Sequence, residues 1–429
     1  MRVVPFDQVA VPQSDKGKRL KQRDYLQEGS LAVIDQGQQH IGGYTDDETI
    51  AFEGELPVVL FGDHTRSVKL VNHPFAVGAD GIKIFRPAVG VSAKYLYYWM
   101  KSAPIPDRGY GRHYQFLRQL SVPLPAEAQQ DEIVAELEKQ FSRLDESVAN
   151  LQRVKANLKR YKASVLKAAV EGRIVETEAT LARREGRNYE TGEQLLQRIL
   201  GERRAKWSGR GKYKLPVSPF KDGLSDLPDA WTWATADQLA YLITSGSRGW
   251  GDFYSDTGVL FIRAQDIKTD ALNFSDAARV DVPIDAEGTR SSVTEGDILV
   301  TITGANVTKS ALVPALGEVA FVSQHVALMK LAMPETASFV FNWIISPANG
   351  RKTLESWAYG AGKPGLSLEQ VRALPIALPP LAEQTRIVAE VDLHLSIIRE
   401  VETEVDTNLQ RAQALRQATL RSCFQSKGS

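Results

Sequence analysis

The residues that could do acid–base or metal chemistry are few and scattered. Asp63 and His64 are adjacent, as an acid–base pair could be, but no activated nucleophile accompanies them, so a polar pair in a loop is favoured. Cys423 is the only cysteine, which excludes an internal disulfide and a cysteine-rich zinc site. We therefore predict neither a metal site nor a catalytic residue in this chain. The histidines, which show no metal-ligand spacing, are His40, His64, His73, His113, His325 and His394.

Two glycine-containing segments approach the pattern of a phosphate-binding loop without meeting it. Such a loop needs Gly-x4-Gly-Lys followed by Ser or Thr, so that backbone amides surround the phosphates. Residues 304–310 lack the second glycine, and Gly362–Lys363 is followed by Pro364. An adenine methyltransferase would need an Asn/Asp-Pro-Pro-aromatic tetrapeptide, whereas Pro379–Pro380 is followed by Leu381. The sequence predicts turns at these positions and a chain that does not itself catalyse a reaction.

The composition is that of an ordinary globular protein with more than one domain. The 429 residues are 43% hydrophobic and 24% charged, and 52 basic residues balance 52 acidic ones. A zero net charge argues against nucleic-acid binding by bulk charge but allows local basic surfaces. No apolar run approaches the roughly 20 residues of a membrane-spanning helix, and residues 1–7 precede no secretory hydrophobic segment. We expect a cytoplasmic protein without membrane association.

An internal repeat is the most informative feature of the sequence. Residues 122–141 read VPLPAEAQQDEIVAELEKQF, and residues 376–395 read IALPPLAEQTRIVAEVDLHL. Without a gap, Ile133 and the three residues after it match Ile387 and its successors, 254 positions later. The same offset still pairs Leu166 with Leu420, so the register holds far beyond the matching segments.

Both copies predict a long helix that begins at a proline-containing junction. Proline is tolerated only near a helix N-terminus, and neither Pro nor Gly interrupts residues 128–170 or 382–424. Apolar residues recur every seven positions, which is the pattern of a helix-pairing seam. At 1.5 Å per residue each helix would be roughly 60 Å long. The seam residues, which we expect to make the helix contacts with each other and with partner subunits, are Leu137, Leu144, Leu151, Leu158, Val391, Ile398 and Val405.

These helices are either two amphipathic helices of one core or an antiparallel coiled coil that acts as a ruler. One core rarely needs helices of this length, so the coiled coil is favoured. We expect an α+β fold with a pseudo-twofold internal repeat, in which each mixed globule is followed by a long helix. The predicted segments are a first globule at 1–121, a central helix at 122–173, a linker at 174–225, a second globule at 226–375 and a distal helix at 376–429.

The predicted linker has two features of its own. A short amphipathic helix is expected at Glu193–Leu200. A basic stretch follows at residues 203–214. Such a stretch is either solvated or in contact with a phosphate backbone, and the sequence leaves both open.

The repeated junction resembles that of the specificity subunit of type I restriction-modification systems, often called HsdS. In that family the junction typically reads Leu-Pro-Pro-Leu-x-Glu-Gln before an Ile- and Val-rich helix. Residues 378–384, LPPLAEQ, match it fully. Residues 124–130, LPAEAQQ, depart from it at Ala126, Glu127 and Gln129.

The resemblance implies a subunit that recognises DNA and does no chemistry. Each globule would be a target recognition domain that reads one half of a bipartite target in double-stranded DNA, and the paired helices would hold the halves apart. Two methylation subunits, which carry S-adenosylmethionine, would dock around it. Two motor-nuclease subunits, which use ATP and Mg²⁺, would cut DNA, and this chain would bind no cofactor. The internal order fits a split target whose halves are read in opposite sense.

If the globules read DNA, loops that combine glycine with polar, basic and aromatic residues are the best candidates for contact. Base edges are read by Arg, Lys, Asn, Gln, Ser and Thr, and DNA backbones by these residues and by amides near glycine. The loops at 108–114 and 359–363 precede their helices by similar spacings, which favours both. The candidates in the first globule are Gln36, Gln38, Gln39, His40, Tyr44, Thr65, Arg66, Arg108, Tyr110, Arg112 and His113. Those in the second are Ser247, Arg248, Trp250, Arg263, Asn306, Lys309, Tyr359 and Lys363.

The alternative interpretation is a non-catalytic coiled-coil adaptor. Its two lobes would bind ligands unrelated to restriction. A binding assay on random duplex DNA, with the partner complex present, distinguishes the two interpretations.

Overall fold

The chain folds into two compact units that divide inside its long helices. The computed structural model describes residues 2–78, 81–109, 111–208, 212–220, 223–246, 249–268, 270–281, 290–360 and 364–424. Unit 1 comprises Met1–Val154 and Glu404–Ser429, and unit 2 comprises Lys155–Thr403. Each unit therefore contains one end of each long helix, α3 (Glu127–Val170) and α10 (Leu381–Phe424), which have 44 residues each. Within the described ranges, no helix has the length and apolar character needed to cross a bilayer.

The described globular part of unit 1 consists of small sheets and two short helices. Its strands are β1 (Arg2–Pro5), β2 (Ala10–Gln13), β3 (Leu31–Ile34), β4 (Gly43–Thr45), β5 (Val58–Gly62), β6 (Val68–Val71), β7 (Phe75–Val77), β8 (Ile82–Pro87) and β9 (Ser121–Leu124), and its helices are α1 (Ala93–Ser102) and α2 (Tyr114–Arg118). They form sheets in the orders β2-β8-β5-β6 and β4-β3-β7, and the ribbon β1-β9. β5 is buried along its whole length, as its continuous apolar run predicts. The aromatic helix α1 packs on this sheet through Tyr95 and Trp99.

Unit 2 repeats this plan with more strands and more helices. Its strands are β10 (Thr232–Thr235), β11 (Ala240–Ser245), β12 (Tyr254–Ser255), β13 (Val259–Ile262), β14 (Ile267–Lys268), β15 (Ala271–Leu272), β16 (Ala278–Val280), β17 (Ser292–Val293), β18 (Ile298–Thr301), β19 (Ser310–Leu312), β20 (Ala320–Val322), β21 (Val326–Leu331) and β22 (Pro375–Leu378). Its helices are α4 (Glu178–Glu185), α5 (Gly192–Ala205), α6 (Ala236–Leu239), α7 (Ala337–Ile345), α8 (Gly350–Trp357) and α9 (Leu368–Ala373). The sheets have the orders β11-β21-β18-β19 and β12-β16-β13-β20-β17, with the hairpin β14-β15 and the ribbon β10-β22. Helices and strands mix in both units, which confirms the predicted α+β class.

A similar two-stranded ribbon precedes each long helix. In unit 1, β1 pairs antiparallel with β9, so that Arg2 lies opposite Leu124. In unit 2, β10 pairs antiparallel with β22, so that Thr232 lies opposite Leu378. Leu124 and Leu378 are 254 positions apart, which is the offset of the sequence repeat. The repeat is therefore structural, and it begins before the helices do.

A buried glutamine near the start of each long helix holds the proline-containing junction in place. Gln130 donates from Nε2 to the Pro125 carbonyl at 3.0 Å, and Gln384 donates from Nε2 to the Pro379 carbonyl at 2.9 Å. Both pairs of residues keep the 254-residue offset. Because a buried carbonyl needs a donor, these amides fix the path of the chain into the helix. The contact gives a physical reason for the glutamine in both junctions.

The two long helices run antiparallel within each unit. In unit 1, Leu137 of α3 shares a buried core with Leu420 of α10. In unit 2, Val391 of α10 shares a buried core with Leu166 of α3. Leu137 and Val391 are counterparts in the repeat, and so are Leu166 and Leu420. The beginning of one helix thus meets the end of the other in each core, which confirms the predicted antiparallel pairing.

The predicted seam residues turn towards the protein interior. The half-buried members are Leu144, Leu151 and Leu158, and the buried ones are Leu137, Val391, Ile398 and Val405. The seven-residue spacing therefore predicted side chains that are buried or half-buried. The expectation that the buried ones also contact partner subunits is corrected, because side chains used inside this chain have no surface left for another.

The segment predicted as a linker packs onto unit 2. Helix α5 contains the predicted amphipathic helix, and its Leu195 and Ile199 lie in the core of that unit. In the basic stretch, Arg203 donates to two backbone carbonyls of the globular part, and Lys206 donates to the Ala332 carbonyl at 2.7 Å. These two cations have a structural role, because they hold α5 in place.

Glu383 of the second junction binds this packed segment. Its carboxylate accepts the Glu178 backbone N–H at 2.8 Å and the Trp231 indole N–H at 2.9 Å. Burial raises the pKa of Glu383, although both hydrogen bonds oppose the shift. The counterpart of Glu383 in the first junction is Gln129, which is exposed. The two junctions therefore differ in this contact, because Glu383 is buried against the start of α4 whereas Gln129 is exposed.

Replacing Leu420 by alanine should destabilise unit 1. Leu420 is 1% exposed and fills the core that contains Leu137, and such a truncation costs about 2–5 kcal/mol. Leu415→Ala is the matched control, because Leu415 lies on the same helix and is 57% exposed. Hydrogen exchange of the β5 amides in the full chain measures the opening of this unit. Equal protection in the two variants would contradict the antiparallel pairing.

Candidate nucleic-acid interface

Two predicted contact loops of unit 1 are joined by hydrogen bonds. The Thr65 hydroxyl donates to the Gln36 carbonyl at 2.5 Å, and the Ser67 hydroxyl donates to the Gly37 carbonyl at 3.1 Å. The Gln36 side-chain oxygen accepts the His64 backbone N–H at 3.3 Å. The segment after β3 and the turn between β5 and β6 therefore form one surface.

Arg66 connects this surface to a third predicted loop, between α1 and α2. Its guanidinium lies 2.6 Å from the Asp107 carboxylate and 3.4 Å from the Ile105 carbonyl. The Gly109 amide and the Arg66 charge together lower the pKa of Asp107. Arg66 also adopts a φ of 58°, in the left-handed region that non-glycine residues seldom occupy. The predicted contact residue thus positions the third loop, and its side chain remains about one-third exposed.

His113 is buried, and both ring nitrogens are engaged. Nδ1 lies 2.9 Å from the Asp63 carbonyl, and Nε2 lies 3.3 Å from the Arg108 backbone N–H. Because the carbonyl can only accept and the amide can only donate, this arrangement fits the tautomer with its hydrogen on Nδ1. His113 anchors the loop, which corrects its assignment as a residue that contacts DNA.

Several other residues of unit 1 that we predicted to contact DNA are exposed or half-buried. Tyr44 is half-buried, and Tyr110 lies outside the described residues. The exposed residues carry amide, imidazole and guanidinium groups, which are the groups that read base edges or bind phosphates. They are Gln38, Gln39, His40, Arg108 and Arg112.

In unit 2, two predicted contact residues are used by the fold. Trp250 is buried and stacks on Phe261 with ring centroids 4.9 Å apart. Arg263 holds a turn, because its guanidinium lies 2.9 Å from the Asp266 carboxylate and also bonds the Asp276 carbonyl. Asp266 raises the pKa of Arg263 through this hydrogen bond. Both residues stabilise the unit, so we leave them out of the interface.

The remaining predicted residues of unit 2 that the structure describes lie in two loops. The Asn306 side-chain oxygen accepts Lys309 Nζ–H at 2.8 Å, and its amide donates to the Ala264 carbonyl at 3.1 Å. Tyr359 is exposed, and its backbone pairs with Gly365 to close the second loop. Asn306, Lys309 and Tyr359 remain candidates. Ser247, Arg248 and Lys363 lie outside the described residues.

The adjacent Asp63 and His64 serve loop closure. The Asp63 carboxylate accepts the Tyr114 backbone N–H at 2.8 Å, and His64 Nδ1 lies 3.1 Å from the Gly111 carbonyl. In the described part of the chain, no group of three or more His, Cys, Asp or Glu side chains is placed to bind a metal ion.

Sequence reasoning missed two lysines beside the predicted loops. Lys69 and Lys101 line a cleft together with Gln38, His40 and Arg66. Lys69 lies on β6 with Val71, and both side chains are buried. The alternation along this strand was the available signal, because it places a lysine on the apolar face.

A comparison with known proteins agrees with the resemblance of the two junctions. No protein-family model matches the sequence. The curated type I restriction enzyme EcoBI specificity subunit of Escherichia coli is 28% identical over 183 residues, which are 41% of this chain and 36% of that protein. The match therefore covers only about a third of the relative's length.

Two solved structures align with nearly the whole chain. One, described as the structural basis of complex assembly and conformational transition of the type I R-M system, covers 99% of this chain and 97% of its own, with a TM-score of 0.58 and 16% identity. The HsdS subunit of Thermoanaerobacter tengcongensis covers 99% of this chain and 96% of its own, with a TM-score of 0.48 and 13% identity. The structure with the TM-score of 0.58 establishes the fold. The curated E. coli protein is similar in sequence. This chain is thus similar in sequence, over part of its length, to the specificity subunit of a type I restriction enzyme, and its two junctions resemble those of the same family.

Proposed function

We propose that this chain is the DNA-recognition subunit of a type I restriction-modification complex, and that each unit reads one half of a bipartite target. The observation that carries the proposal is the repetition of ribbon, junction and helix pairing in two units whose loops differ. A repeated frame with different loops suits a target with two different halves. The exposed residues around Arg112 in unit 1 and Tyr359 in unit 2 supply groups of the required chemistry.

Partner subunits perform the chemistry in this proposal. Two methylation subunits bring S-adenosylmethionine, and two motor-nuclease subunits bring ATP and Mg²⁺. The chain itself contributes DNA recognition and a frame for assembly. The paired helices set the number of base pairs between the half-sites, because the seam fixes how far α3 and α10 overlap.

Purified alone, the chain should neither methylate nor cut DNA. Addition of its cognate methylation subunits should give S-adenosylmethionine-dependent adenine methylation at a split site, which sequencing of modified bases would locate. Methylation by the chain alone would refute its non-catalytic role. An assembled complex without affinity for duplex DNA would instead favour an adaptor.

Exchange of one globule should alter one half of the target. Residues 226–375 are replaced by the corresponding globule of a related subunit, while both long helices are retained. We expect the methylated sites of the chimera to keep one half-site and to change the other. A change in both half-sites would mean that the two units read DNA jointly.

Replacing Arg112 by alanine should weaken DNA binding and leave subunit assembly intact. A bidentate base contact is worth about 1–3 kcal/mol, so a loss of roughly ten- to a hundredfold on the target sequence fits base reading. A uniform loss with a shallower salt dependence would mark a phosphate contact. Arg118→Ala is the matched control, because this exposed arginine lies on the neighbouring helix and pairs with Asp7 at 3.0 Å. Equal affinity of both variants would remove the loop from the interface.

A further inference from the structure

Unit 1 contains a cleft that is lined by several basic side chains. Its volume is about 490 Å³, and its walls include His40, Arg66, Lys69 and Lys101. No Asp or Glu is among the described residues that line it. The cleft lies between the loop after β3, the turn before β6 and the helix α1, so three separate elements contribute its basic groups.

Lys69 is the critical residue of this cleft. Its side chain is 4% exposed, and its ammonium group has no hydrogen bond to the described residues. The Asp35 carboxylate forms a long ion pair with this ammonium at 3.5 Å and already accepts the Gly37 N–H at 2.8 Å, so it offers Lys69 charge but not a hydrogen bond of normal length. Since a buried charge is costly without a well-placed partner, an ammonium in this position needs a ligand or water that faces it.

The other cations of the cleft do not remove this need. Arg66 is held at one side by Asp107, and the exposed Lys101 donates to the Tyr97 hydroxyl at 3.1 Å. Burial, then the charges of Lys69 and His73, lower the pKa of His40. The imidazole thus lies close to other basic groups. A bound anion would relieve the repulsion and satisfy Lys69 in one step.

We propose that this cleft binds a backbone phosphate of DNA, with Lys69 at its floor and Lys101 at its rim. The inference rests on the proposed function, which supplies DNA as the polyanion. A phosphate contact would fix the position of unit 1 on the duplex without reading sequence, and the exposed Gln39 and Arg112 would then face base edges. Free inorganic phosphate shares the same chemistry, so the test includes it separately.

The main test measures duplex binding by the assembled complex over a range of salt concentrations. We expect Lys69→Met to weaken binding roughly three- to tenfold on target and random duplexes alike, and to reduce the slope of log affinity against log salt by about one. Lys101→Met should act in the same direction. This second variant keeps the test decisive if Lys69→Met does not fold, because Lys101 is exposed. The matched control is Lys139→Met, an exposed lysine on α3 of the same unit and outside the cleft, for which we expect no change.

The second arm follows the thermal unfolding of the full chain with inorganic phosphate, against chloride at equal ionic strength. Stabilisation that is lost in Lys69→Met, with duplex binding unchanged, would assign the cleft to free phosphate and overturn the DNA contact. Duplex binding by both cleft variants that equals the control would also overturn it, while the proposed function stands. If the unaltered complex binds no duplex, the proposed function itself fails.

Discussion

The structure depends on the meeting of opposite helix ends in two separate cores. Leu137 near the start of α3 packs with Leu420 near the end of α10, and Val391 packs with Leu166 in the same way. Neither globular part completes its core without the end of the helix that belongs to the other copy. This constraint requires antiparallel helices of equal length, and both have 44 residues. It also explains why the 254-residue offset continues to the helix ends. Leu137 packs with Leu420 in unit 1, and their repeat counterparts Val391 and Leu166 pack together in unit 2.

The two copies differ at the junction residue Glu383 and its counterpart Gln129. Helices α4 and α5 pack on unit 2, and Glu383 accepts hydrogen bonds from Glu178 and Trp231. The equivalent Gln129 is exposed, whereas the glutamines that bind the junction carbonyls are retained in both copies. The common contacts maintain the frame, whereas Glu383 also binds the start of α4 in unit 2. A frame of this kind allows the loops of each unit to vary independently.

Sequence patterns predicted the frame far better than the site. Heptads, prolines and the repeated glutamine are local signals, and they gave the helices, their starts and their direction. The contact loops were harder to predict, because Trp250 between two glycines, or His113 two residues after Gly111, has the same local sequence whether its ring meets a base or the core. Only the tertiary structure placed Trp250 on Phe261 and His113 between two backbone groups. The buried Lys69 went unnoticed because its neighbours in the cleft come from distant segments.

In the function we propose, the paired helices hold two independent DNA-reading units at a set separation. The most direct test of this claim is the insertion of seven residues into each long helix, after Val154 and after Thr403, where the units divide. A full heptad nearly preserves the helix phase and adds roughly 10 Å, which corresponds to about three base pairs at 3.4 Å each. Sequencing of the methylated sites should then give the same two half-sites with a spacer about three base pairs longer. Unchanged spacing in an active complex, or altered half-sites, would contradict the account.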